Sequence, residues 1–174
     1  MIIALTGYMG SGKTAVGRRL AESTGYPFVD LDEYITRRTG FTPARIIREA
    51  GETVFRIRET QLLEELLEKY GDLVLATGGG TFVLPENKKM LKNKALTVFI
   101  DTPFDKIKER LEKEYTHRPV LPRDTTGKPG WEAVRAHYRN RLPAYRKADI
   151  IFFNPYDTPG EAAENLYREI KNYL

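Results

Sequence analysis

The sequence predicts an α/β fold in which a five-stranded parallel sheet is flanked by helices. Three observations predict it. Five short apolar runs, at residues 2–5, 27–29, 73–76, 96–100 and 150–153, read as strands. Helical patterns lie between them, and strands alternating with helices imply parallel pairing with both faces covered. Directly after the first run the chain reads Gly7-Tyr8-Met9-Gly10-Ser11-Gly12-Lys13-Thr14, which is GxxxxGK[ST] between a strand and a helix.

Taken in order, the first strand delivers the chain into that loop. Gly7, Gly10 and Gly12 let backbone N–H groups turn inward around phosphate oxygens, with Ser11 between them. The following helix, over 15–23 from Ala15, adds unpaired N–H donors and the positive end of its dipole. A lysine at a helix start opposes that dipole unless an anion lies beside it, so Lys13 is expected to reach the outer phosphates of a nucleoside triphosphate. The Thr14 hydroxyl is placed to ligate Mg²⁺. Gly25 closes the first helix. A longer helix over 53–70 carries Phe55, Leu62, Leu63, Leu66, Leu67 and Tyr70 on one stripe. Pro103 opens another with Thr102 as its cap, a helical segment begins near Trp131, and 161–173 forms the last helix. Segment 114–130 holds Arg118-Pro119, Pro122, Gly127 and Pro129-Gly130 but few apolar residues, and reads as a mobile lid.

Length and composition bound the alternatives. A chain of 174 residues with 41% hydrophobic and 30% charged residues fits a single soluble globular domain spanning 1–174. No apolar run approaches the roughly 18 residues needed to span a membrane, and no signal region opens the chain. The absence of cysteine excludes disulfides and thiolate metal sites and fits the cytoplasm. Net charge is +4, but the arginines occur singly or in pairs such as Arg18-Arg19 and Arg37-Arg38. Without a basic block, small anions explain them better than nucleic acid does.

Beyond the loop, the second strand ends in Asp30-Leu31-Asp32 at the sheet edge where open α/β folds bind ligands. One carboxylate can hold Mg²⁺ and the other can take a proton from a substrate hydroxyl. The plainer reading is that one of them caps the helix starting near Glu33. Asp101, at the end of the fourth strand, competes for the metal, but Asp101-Thr102-Pro103 reads as a helix start, so Asp30 is favoured. Arg56 and Glu59 stand three apart on one helix: either a solvated surface pair, or an arginine held so that its planar fork can take a carboxylate. Gly78-Gly79-Gly80 marks a flexible turn or a place where a ligand approaches the backbone. Arg118 in the lid and Arg141 in the Trp131 helix are candidates for stabilising anionic charge. His117 and His137 show no metal-ligand spacing and read as ordinary residues. Trp131, Tyr138 and Tyr145, seven apart, read as a core stripe.

Together these segments resemble the shikimate kinase family. The resemblance is carried by the phosphate loop, FVDLD at 28–32, GETVFRIRE at 51–59, TGGGT at 77–81, RPVL at 118–121 and RLPAYRKAD at 141–149. Val120 stands where leucine is more usual. The resemblance implies a P-loop NTPase fold like that of the nucleoside monophosphate kinases, with an acceptor-binding helical region at 31–60 and a lid at about 114–130. It also implies that the shikimate carboxylate meets Arg56 and Arg141. Asp32, Gly78, Gly79 and Gly80 would hold the ring hydroxyls, Mg²⁺ would sit near Thr14 and Asp30, and Arg118 would close over ATP. Arg110 and the Asn154-Pro155 turn are the expected adenine neighbours. On this reading Asp32, Lys13 and Arg118 are the catalytic residues, Glu59 orients Arg56, and a monomer is expected. A kinase of another small hydroxy acid, such as gluconate, is the nearest alternative. A regulatory nucleotide-binding module is the alternative from a different class.

Overall fold

Strand β1 (Ile2–Thr6) is wholly buried and lies at the centre of a five-stranded sheet. Its neighbours are β3 (Leu73–Ala76) and β4 (Ala95–Asp101), with β2 (Phe28–Asp30) and β5 (Ile150–Phe153) at the edges, in the order β2-β3-β1-β4-β5. Every pairing is parallel. The computed structural model describes residues 1–114, 125–127 and 130–174. Most of the segment 114–130 read as a lid, with His117 and Arg118, therefore lies outside the described residues.

Alternation along β1 divides the core into two layers. Ile3 and Leu5 pack with Val16 and Leu20 of α1 (Lys13–Thr24) and with Leu166 of α8 (Pro159–Ile170). Ile2 and Ala4 face the opposite layer, with Leu63 and Leu66 of α4 (Glu52–Lys69) and Tyr145 of α7 (Trp131–Tyr145). Burial of such side chains, about 1.5–3 kcal/mol each, is what fixes the sheet between its helices.

The predicted strands recur with one-residue differences at their ends, and Gly25 ends α1 in the left-handed conformation. Three further helices complete the fold: α2 (Leu31–Thr39), α3 (Pro43–Ala50) and α5 (Pro85–Lys94). Only the start of α2 is among the expectations above, although Pro43 and Pro85 open the other two. The cap assigned to Thr102 is corrected. Helix α6 (Phe104–Glu114) does follow Pro103, but Pro103 supplies the carbonyl that accepts from the Ile107 N–H. The buried Thr102 hydroxyl instead donates to the Ser11 carbonyl at 2.8 Å.

Parallel register puts the strand ends that matter at one edge. Leu5 pairs with Ala76, and Ala76 with Asp30. The phosphate loop, the Asp30-Leu31-Asp32 segment and the triple glycine therefore emerge side by side.

Candidate active site

Gly7, Gly10 and Gly12 have φ of 146°, 77° and 95°, a region in which a side chain is strained, so the loop needs all three glycines. The loop is anchored from outside. Its Ser11 carbonyl accepts from Thr102 and, at 3.4 Å, from the buried Asn154 amide, while Arg110 donates to the Gly10 carbonyl at 3.2 Å. Lys13 lies almost buried along the loop and donates to the Gly7 and Tyr8 carbonyls, both at 2.9 Å. The Ser11 hydroxyl is buried with no partner among the described residues, an orphan suited to a ligand oxygen.

Thr14 donates through its hydroxyl to Asp30 Oδ2 at 2.7 Å. The other Asp30 oxygen accepts from the backbone N–H groups of Asp32 and Glu33, so Asp30 does cap α2. Capping and the metal role are thus compatible, because each uses a different carboxylate oxygen. Asp101 does not line the cleft. Among the described residues no group of three His, Cys, Asp or Glu is set to hold a metal. Two hard oxygens beside a phosphate loop suit Mg²⁺, which keeps water and takes most of its ligands from phosphates.

Asp32 opens onto the cleft with Gly78 and Glu59 close by. A methyl group on Gly78 would lie 3.0 Å from Asp32 Oδ1 and 3.2 Å from Glu59 Oε1. Removal of bulk water by the cleft walls, reinforced by Asp30 and Glu59, pushes the Asp32 pKa up to about 6 against the pull of Lys13 and Arg56. The group stays ionised at neutral pH and is a stronger base than an ordinary aspartate.

Arg56 and Glu59 are not a surface pair. Glu59 is fully buried, accepting from Arg56 Nη1 at 2.8 Å with one oxygen and from the Thr81 hydroxyl at 2.7 Å with the other. Arg56 also donates to Glu52. Two carboxylates therefore fix the guanidinium beneath the Gly80 backbone. Arg141 arrives from α7, its Nη1 3.6 Å from where a Gly79 side chain would begin. It has no carboxylate partner among the described residues. The buried Tyr145 hydroxyl donates to the Gly79 carbonyl at 2.5 Å and clamps α7 against the triple glycine.

One cleft of about 930 Å³ joins these parts, with Lys13, Thr14 and Ala15 at its phosphate end and Arg56 and Arg141 at its acceptor end. Its size admits a nucleotide and a small acceptor together. Arg110 and Asn154 line it as well. His137, read from the sequence as an ordinary residue, lines it too. The i, i+4 spacing from His137 to Arg141 on one helix face is the signal that could have placed it there.

Comparison with known proteins gives one answer. The family model for shikimate kinase matches residues 9–171. The shikimate kinase of Aromatoleum aromaticum is 38% identical over 99% of this chain and 96% of its own length. That of Thermus thermophilus is 38% identical over 99% of this chain and 89% of its own. Among solved structures, shikimate kinase from Acinetobacter baumannii in complex with shikimate aligns with a TM-score of 0.87 at 35% identity, covering 99% of this chain and 94% of that one. A nucleotide-loop fold with an acceptor cleft of this construction and full-length similarity of this degree have one meaning: the chain belongs to the shikimate kinase family.

Proposed function

We propose that this cleft transfers the γ-phosphoryl group of ATP to the 3-hydroxyl of shikimate, a step towards chorismate and the aromatic amino acids. The observation that carries the residue assignment is the Arg56 guanidinium, fixed by buried Glu59 against Gly80 and set across the cleft from the phosphate loop.

Asp32 accepts the proton of the attacking hydroxyl, for which its raised pKa suits it. Arg56 and Arg141 receive the carboxylate, and the backbone of Gly78, Gly79 and Gly80 meets the ring hydroxyls. Holding the acceptor in line with the phosphate converts a bimolecular encounter into an oriented one. Lys13 turns from the Gly7 and Tyr8 carbonyls towards the β- and γ-phosphates as ATP enters. Thr14 and Asp30 would hold Mg²⁺, which would neutralise charge on the phosphate oxygens. Arg118, outside the described residues, is assigned the closing positive charge through the family resemblance alone. No helix among the described residues is long and apolar enough to cross a membrane. A cytoplasmic monomer completes the proposal.

ADP release measured against a panel of acceptors tests this reading. Shikimate should stimulate release, whereas gluconate, nucleoside monophosphates and pantothenate should not. Turnover of gluconate equal to that of shikimate would overturn the substrate and leave the kinase standing.

A further inference from the structure

Tyr8 lies inside the phosphate loop, yet its side chain belongs to the opposite wall of the cleft. The ring is fully buried and packs edge-on against His137 and Tyr138 of α7, with centroids at 5.5 and 5.3 Å. Its hydroxyl lies 2.7 Å from His137 Nδ1 and 3.5 Å from the Val134 carbonyl. A tyrosine hydroxyl has one proton, and only the shorter contact has the length of a normal hydrogen bond. Two arrangements fit these contacts: Tyr8 donates to Nδ1 and the ring proton sits on Nε2, or Nδ1–H donates to Tyr8, whose own proton turns to the Val134 carbonyl. Burial and the neighbouring Arg141 charge hold the His137 pKa below its ordinary value, with Glu52 opposing, in keeping with a neutral ring.

His137 lines the cleft. Nε2 has no hydrogen-bond partner among the described residues. It lies one helical turn before Arg141 and within electrostatic reach of Glu52, which is itself committed to Arg56. We propose that His137 is an acceptor-positioning residue, locked by Tyr8 so that its Nε2–H donates to the substrate carboxylate between Arg56 and Arg141. This rests on the acceptor assignment above. It makes Tyr8 a link between the nucleotide loop and the acceptor wall, a role that the phosphate-loop pattern does not require of that position.

The test separates the two ring nitrogens. In His137→Asn the side-chain oxygen can still accept from Tyr8 but cannot reach as Nε2 does. In His137→Gln the amide N–H reaches the Nε2 position. His137→Phe removes both functions while keeping a ring against Tyr8. Loss of a hydrogen bond to a charged group predicts a shikimate KM raised about ten-fold in the Phe and Asn variants, with kcat and the KM for ATP changed less than about two-fold. His137→Gln should recover most of the loss. The chain has two histidines, so ¹⁵N NMR of the imidazoles can be assigned, and the His137 signal should report Nε2–H and shift on shikimate addition. An Nδ1–H tautomer, an unchanged KM in the Phe variant, or recovery by Asn but not Gln would overturn the proposal. If the unmodified protein fails to phosphorylate shikimate, the acceptor assignment itself has failed, which the same assay shows before any variant is made.

Discussion

A methyl group on Gly80 would lie 2.8 Å from Arg56 Cζ, so the triple-glycine backbone and the Arg56 guanidinium form one close-packed layer. Gly80 has φ −96° and ψ −16°, a conformation open to any residue. Steric contact with Arg56, and not backbone strain, is what a side chain would meet here. Gly80→Ala should therefore lose more than about 1 kcal/mol of stability, because the guanidinium atoms that must move include the Nη1 bound to buried Glu59. The displaced guanidinium should raise the KM for shikimate at least about ten-fold while ATP binding persists. Steady-state kinetics and a denaturation curve on the same preparation check both halves.

Arg56→Lys should weaken shikimate far more than ATP. An ammonium keeps the charge but not the planar fork, whose separate edges can take Glu59 and a substrate carboxylate together. The expected loss is about 1.5–3 kcal/mol in apparent shikimate affinity. An unchanged KM for shikimate would remove Arg56 from the site.

Asp32→Asn should retain ATP binding and lose about 10²–10⁴-fold in kcat, the usual contribution of a positioned base. In the unmodified protein kcat/KM should fall as pH drops through about 6, where Asp32 takes up its proton. A rate flat from pH 7 to pH 5 would argue against Asp32 as the base.

The same carboxylate sets a stability signature with the opposite sense to a salt-bridged aspartate. Its folded pKa of about 6 lies above its ordinary 3.8, so between those values the folded state binds more protons than the unfolded one. Stability therefore falls as pH rises across that window, and the deficit is complete above it. Asp32→Asn removes the deficit and should be more stable at pH 7 by about 1 kcal/mol, a figure reduced from the full linkage value because the cleft admits water. The difference should shrink to a small remainder by pH 4 and vanish below about pH 3. Thermal melts at pH 4 and pH 7 give the comparison.

How far the site is legible in the sequence depends on how local each cause is. Gly7 to Thr14 is legible because every requirement, from positive φ to the helix start, lies within eight residues. Asp30 is half legible: its position past a strand is clear, but only the fold shows one oxygen on α2 and the other on Thr14. The spacing of Arg56 and Glu59 could not decide between solvent and core, since Glu59 is buried by Thr81 and the triple glycine from a separate segment. Tyr145 and His137 reach partners 66 and 129 residues away, a distance at which helical periodicity says nothing. Helix α3 is strongly amphipathic but only eight residues long, too short for its period to stand out, and α5 has little apolar periodicity, even though Pro43 and Pro85 mark their starts.

The most direct test is a crystal structure with shikimate and a non-hydrolysable ATP analogue bound together. The shikimate carboxylate should lie on Arg56 and Arg141, and one ring hydroxyl should stand within about 2.6–3.2 Å of Asp32 while facing the γ-phosphate at Lys13. A carboxylate bound away from Arg56, or an Asp32 with no acceptor hydroxyl in reach, would contradict this assignment of the cleft.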